Sequence, residues 1–302
     1  MRYTASRVSL IVAFGVLVGL SSRSVFAWSI AGHQSTARMA VRLLPADFPE
    51  FFRMGQSAVA HSVIDPDVIK LRTLLQLRNR EYPEHYLDWE MFGGRDFPAT
   101  RYEYIARLHQ LNQKPASTGF LPYAIVENFQ ELMLAFAEHR RWPDNLHVRS
   151  KILILAGHLA HYAGDLCQPL HTTIHHNGRA KRGAESPNTG IHFAVDGLFE
   201  STSIGHSVVG IHLAPLASGN LLTEVQRQFE GSFRLVDRVY ELEADLRAAH
   251  EGGEPTAQLI AFAKERQHCT ISFISGLFQS AWIDSASLQL PVWLEREIGT
   301  GF

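Results

Sequence analysis

From Ser29 onward, apolar side chains recur every three or four positions over long stretches, the periodicity of helices packed on a core, and strand signals are scarce. Ser29 to Leu44 predicts a helix with Ile30, Ala31, Met39 and Leu43 on its apolar side and Pro45 as its stop. Phe120 to His139 predicts a second, with Ile125, Phe129, Leu132 and Phe136 in register. Ile152 to Cys167 is nearly apolar except for His158, His161 and Asp165, which predicts a buried, central helix. Leu222, Val225, Phe229, Phe233, Val236 and Tyr240 step through a charged background as one amphipathic helix. A last helix is expected from about Ala257 to Ile283, with Leu259, Phe262, Cys269, Phe273 and Leu277 as its core stripe. The stretches 79–100 and 171–188, rich in Gly, Pro and polar residues, read as long loops. Without repeats or linkers, the pattern implies a single-domain, all-α helical bundle with long functional loops.

The first 27 residues follow a different pattern. Arg2 and Arg7 precede the apolar run Leu10 to Leu20, and small residues stand at Val25 and Ala27, the form of a signal peptide. The run is too short to span a bilayer comfortably, so no membrane anchor is expected after cleavage. Cleavage after Ala27 would make Trp28 the mature N-terminus and leave one domain, 28–302. An exported protein, periplasmic or extracellular, is therefore expected. Removing Arg2, Arg7 and Arg23 leaves 25 basic against 30 acidic residues, a formal charge of −5, with no polybasic patch for a long duplex. Nothing in the pattern implies a stable protein partner. Two cysteines, Cys167 and Cys269, cannot form a disulfide scaffold, and the sequence leaves open whether they pair.

Two pairs of identical spacing carry the candidate chemistry, His161 with Asp165 and His192 with Asp196. Four residues apart on a helix, an imidazole and a carboxylate face one metal ion. A lone His161 on an apolar helix would be a core residue, but an ionised Asp165 beside it needs a cationic partner. His192 and Asp196 alone would read as a structural ion pair. His171 follows Pro169, where the chain can turn its imidazole back toward Asp165.

The motifs Trp28-Ser-Ile-Ala-Gly-His33, Asp65-Pro-Asp-Val-Ile-Lys70, Glu84-His-Tyr-Leu-Asp88, His161-Tyr-Ala-Gly-Asp-Leu-Cys-Gln-Pro-Leu-His171 and Gly190-Ile-His-Phe-Ala-Val-Asp196 resemble, in order, those of the zinc-dependent phospholipase C and single-strand nuclease superfamily, whose nuclease branch is the S-one/P-one type. The resemblance covers roughly residues 28 to 200. It implies an all-helical fold around three Zn²⁺. Trp28, through its free amine and carbonyl, and His33 would hold one ion. Asp67, His85 and His161 would hold a second, with Asp165 bridging the two, and His171, His192 and Asp196 a third. On spacing, either Asp65 or Asp67 could reach a metal; Asp67 is preferred because Lys70, three residues on, stands where the nuclease branch carries an Arg near the scissile phosphate. Tyr86 and Asp88 match positions that contact a base. His158, His175 and His176 are not carried over and read as loop or supporting residues.

The activity implied is phosphodiester hydrolysis by a zinc-activated hydroxide, with Asp165 orienting the attacking water. The Trp28 to His33 spacing, the Gln168-Pro-Leu-His171 block and Asp196 in place of Glu favour a nuclease acting on single-stranded nucleic acid. Val195 in place of a Trp, the Asp65-Pro-Asp67 run and Gly119-Phe-Leu-Pro-Tyr123 look more like bacterial members grouped as phospholipase C, which makes a phospholipid substrate the alternative. A secreted zinc-binding protein without catalysis is the third reading.

Overall fold

The computed structural model describes residues 28–181, 184–204, 211, 213–216 and 219–296, so the expected signal peptide lies outside the described residues. Within them the fold is all-α, with no strand and only two isolated bridges, Leu87 with Gly119 and His176 with Gly178. Six helices organise it: α1 (Ile30–Arg42), α2 (Leu121–Arg141), α3 (Leu146–Cys167), α4 (Ile191–Asp196), α5 (Leu221–Phe233) and α6 (Ala257–Asp284). No helix among the described residues is long and apolar enough to cross a membrane.

Helix α3 is the axis. It packs against α1, α2, α6 and the short helix Gln56–Ser62. Ala156, Ala160 and Ala163, all fully buried, let those neighbours approach from several sides. At Gly157 the approach leaves no room for a side chain, since a Cβ would sit 2.7 Å from the Ser62 Cβ and 2.9 Å from the Val59 carbonyl oxygen. Helix α3 begins one and a half turns earlier than its apolar pattern suggests. The Asn145 side chain accepts from the backbone N–H of His147 and Val148, capping a polar first turn that hydrophobic periodicity does not register.

The amphipathic stretch after Leu221 is not one helix. It breaks at Arg234 and Leu235 and resumes as the separate helix Val236–Glu241. Gly231 and Ser232, in the last turn before the break, form a small-residue pair at which helices bend. Leu222, Val225 and Phe229 belong to the core built around α2, α3 and α6, whereas Val236 and Val239 belong to a second core with Trp28, Leu170, Ile191, Val195 and Phe262. One straight helix could not aim its apolar stripe at both. The expected loop 79–100 likewise contains helical turns, the end of Leu75–Glu81, the 3₁₀ turn Tyr82–His85 and the helix Trp89–Phe92. Each is too short for a periodic signal.

Candidate metal centre

The eight side chains expected as ligands converge, in three groups whose donor atoms lie within 4.8 Å of one another in each. The first group is His33 from α1 with His161 and Asp165 from α3. His33 Nε2 stands 3.3 Å from Asp165 Oδ1, and its ring stacks on that of His161 with centroids 4.3 Å apart. Gly164 makes this possible, because a Cβ there would lie 2.9 Å from His33 Nδ1. Gly164→Ala is therefore expected to displace His33, lowering bound metal by about one ion per chain and stability by about 1–3 kcal/mol, read by metal analysis and thermal melting.

The second group is Asp67, His85 and His161. His85, at the end of its 3₁₀ turn, brings Nδ1 to 3.0 Å from His161 Nε2 and 2.9 Å from Asp165 Oδ2. Asp67 Oδ1 lies 3.7 Å from His161 Nε2 and 3.9 Å from His85 Nδ1. Asp165 thus turns one oxygen to the first group and the other to the second. The third group is His171, on the 3₁₀ turn Pro169–Thr172, with His192 and Asp196 one turn apart on α4.

Whether these residues suit a metal can be tested on their hydrogen bonds. The Nδ1 of His161, His171 and His192 each lies within bonding distance of a backbone carbonyl, that of Val63 (2.8 Å), His85 (2.5 Å) and His176 (2.8 Å). A carbonyl only accepts, so each Nδ1 carries the proton and each neutral ring aims a lone pair through Nε2. His171 Nε2 and His192 Nε2 then face each other at 3.0 Å. Burial lowers the pKa of His171 to about 4 and that of His192 well below its ordinary value, so neither ring is charged near neutrality. Two facing lone pairs in a dry interior repel unless a cation lies between them. In addition, Asp196 Oδ2 and His33 Nδ1 are buried without a hydrogen-bond partner. Nitrogen and carboxylate donors without cysteine fit a divalent ion of the zinc type with positions left open for other ligands.

Charge follows the same geometry. Burial favours the neutral form of Asp67, but His161, Lys70 and His85 outweigh it and hold the carboxyl at about 2. Asp165 is likewise kept ionised against full burial by His161, His33 and His85. Asp196 is the exception. Burial, with Asp165 and Asp67 adding to it, raises its pKa well above the carboxylate range, although Gln168 Nε2, donating to Oδ1 at 2.9 Å, and the Lys70 charge oppose this. A cation at the third group would remove that penalty.

Trp28 is fully buried at the edge of the site, its ring stacked on Phe199 and the following amide, Ser29 N–H, bonded to the Asp196 carbonyl at 2.8 Å. Lys70 pairs with Asp67 Oδ1 at 2.5 Å, and its side chain is only 10% exposed. Asp65 turns away toward His158, 3.5 Å distant, and neither belongs to the three groups. Tyr86 is half-buried, edge-on to Tyr82, and donates to the Ala116 carbonyl. Burial, with Glu90 adding to it, raises the nearby Asp88 carboxyl to about 8, so it is largely protonated at neutral pH. His175 Nδ1 accepts from the Ala180 N–H, and His176 contributes its carbonyl.

Several supporting residues carry no signal of their own in the sequence. Gln168 spans Asp196 and the Leu170 N–H. Glu81, buried, accepts from the Tyr162 hydroxyl and stands 3.7 Å from His85 Nε2. The carbonyls that select the histidine tautomers could belong to any residue type, so only the folded backbone reveals them.

No known protein-family model matches the chain, and no solved structure matches it. Among curated proteins it is similar to one from Bradyrhizobium tropiciagri named a probable serine protease, 26% identical over 222 residues, which take in 62% of this chain and 26% of that protein. The chain thus spans about a quarter of the length of the relative it matches.

Proposed function

We propose that the protein is an exported zinc-dependent phosphodiesterase that holds three Zn²⁺ and hydrolyses P–O ester bonds, preferentially in single-stranded nucleic acid. The observation carrying this reading is the opposition of unprotonated His171 and His192 nitrogens at 3.0 Å, beside two further groups that share His161 and that Asp165 faces with its two oxygens. When bound, such ions polarise a phosphoryl oxygen and lower the pKa of water to about 7, so no serine or cysteine nucleophile is required. The named likeness to a protease supports the coarser statement that the chain is a hydrolase. The histidines of this site pair with carboxylates, carbonyls and one another, which favours metal-assisted over serine chemistry.

In this reading Asp165 orients the attacking water. The Lys70 ammonium leaves Asp67 for a non-bridging oxygen of the scissile phosphate. Tyr86 stacks on a base, worth about 1–3 kcal/mol, and the protonated Asp88 both donates to and accepts from its edge. The Trp28 amine, with an unperturbed pKa of about 8, becomes available to a metal only on cleavage after Ala27. Export is then a step in completing the site, and the uncleaved precursor is expected to bind one ion fewer than the mature chain. Metal analysis of both forms, with the mature N-terminus established by mass, checks this.

A specific observation favours phospholipase C as the second reading. Val68, Leu71, Leu74, Leu75 and Leu77 are exposed along the segment that links Asp67 to His85, with Val68 62% and Leu75 58% exposed. Aliphatic side chains enter a lipid interface and do not stack on bases. The deciding experiment compares cleavage of single-stranded DNA with release of phosphocholine from phosphatidylcholine at equal zinc loading. Cleavage of DNA, abolished by chelator and restored by zinc, is the expected result. Activity on lipid alone would replace the nuclease by the phospholipase. Inactivity on both at full zinc occupancy would leave a structural zinc protein.

A further inference from the structure

Cys167 and Cys269 lie about 100 residues apart in sequence, yet the fold brings their sulfurs together. Cys167 is the last residue of α3 and fully buried; Cys269 is in the middle of α6 and partly exposed. The side-chain amide of Gln228, on α5, donates to both sulfurs, at 3.0 Å to Cys269 and 3.5 Å to Cys167. A single amide thus spans the two thiols. Three helices therefore converge on one sulfur pair, and one member of it is accessible to solvent.

We infer that Cys167 and Cys269 are a redox-active pair that closes to a disulfide, stapling the metal-bearing end of α3 to α6. The oxidant required is a small-molecule or protein disulfide. The Cys269 sulfur attacks it, breaking its S–S bond, releasing one thiol and forming a mixed disulfide. The Cys167 sulfur then attacks Cys269 and displaces the second thiol. Two protein thiols lose two electrons and two protons, and both end on the two thiols released from the oxidant. The Cys167 thiol, with Arg266 and Gln228 beside it, holds the Cys269 thiol below its ordinary range, which suits Cys269, the less buried of the two, for the first attack. Gln168, immediately after Cys167, bonds to Asp196, and Asp165 stands two residues before it. The staple thus anchors the helix end from which the candidate metal centre is built, whatever metal that centre takes.

The test is to equilibrate the full chain with excess glutathione disulfide, denature it, alkylate it and measure the intact mass. The expected product is a monomer lighter by two hydrogens with no alkylated cysteine. Closing a loop of this length is expected to raise the melting temperature by about 10 °C over the reduced protein. The C167S/C269S double variant should melt at one temperature with or without oxidant. Should that variant fail to fold, the thiol count of the wild-type chain decides alone. Two alkylated cysteines after equilibration, a stable glutathione adduct on Cys269, or disulfide-linked dimers would each overturn the inference.

Discussion

Under the proposed function, with three metal ions and phosphodiester hydrolysis, Asp165→Asn is expected to remove two of the ions and to lower activity by about 10³-fold, the equivalent of several kcal/mol of transition-state stabilisation. Asn keeps the shape of the side chain but loses the charge, and its amide would point hydrogens where lone pairs are needed. Asp165 is the one carboxylate placed to serve two groups, with Oδ1 3.3 Å from His33 Nε2 and Oδ2 2.9 Å from His85 Nδ1 and 3.4 Å from His161 Nε2. No neighbour can substitute, since Asp67 contacts only the second group and Asp196 only the third. Metal content by mass spectrometry and turnover of a phosphodiester, alongside an unchanged helical circular dichroism spectrum, check the result. Full activity in a folded variant would refute the bridging role. His176→Ala is the matched control, because His176 serves the site through its backbone carbonyl and its side chain can be lost at little cost.

The second large effect is on stability. Stripping the ions with a chelator at neutral pH is expected to lower the melting temperature by about 10–20 °C, since metal binding is linked to folding and the donors left behind are buried and unpaired. Acid should act on the stripped protein in a defined window. The pKa of His161 falls to about 3 and that of His171 to about 4, chiefly through burial, against 6.5 for an ordinary imidazole. Below pH 6.5 the unfolded chain binds protons that the folded chain refuses, so stability falls with pH from there through about 4. Asp67, held at about 2, adds a loss in the same direction below pH 3.8. Asp196 and His85 work the other way, because a raised pKa costs stability as pH increases. Three histidines of lowered pKa, with His192, stand against these two groups, and the net change expected is on the order of a few kcal/mol. Melting curves of the metal-free protein between pH 4 and 7 measure the slope, and a flat profile would show that these rings are not held neutral.

Much of the bundle was legible in the order of residues because its long helices bury one stripe or all sides, and burial leaves a periodic trace. Helices α1, α2 and α6 start and stop within about two residues of the periodicity. What left no periodic trace were the short turn that places His85 and the break after Phe233, where an unbroken stripe serves two cores. The pairs His161 with Asp165 and His192 with Asp196 could be read locally, because four residues of helix fix both side chains on one face. The joining of those pairs to His33, Asp67 and His85 spans 76 to 128 residues of chain and has no local cause.

By itself, the sequence determined that this protein is helical, which of its helices is central, and which donor types it carries on that helix. Those properties depend on periodicity and residue chemistry, and both are written one position at a time. Only the tertiary structure decided that Asp67 and not Asp65 stands beside His161, that Asp165 faces two groups, that three ring tautomers are set by backbone carbonyls, and that the two cysteines share one amide. Each of these rests on a distance of a few ångströms between segments far apart in the chain, and such distances are set by how closely helices pack, at glycines such as Gly157 and Gly164, rather than by any residue's own preference.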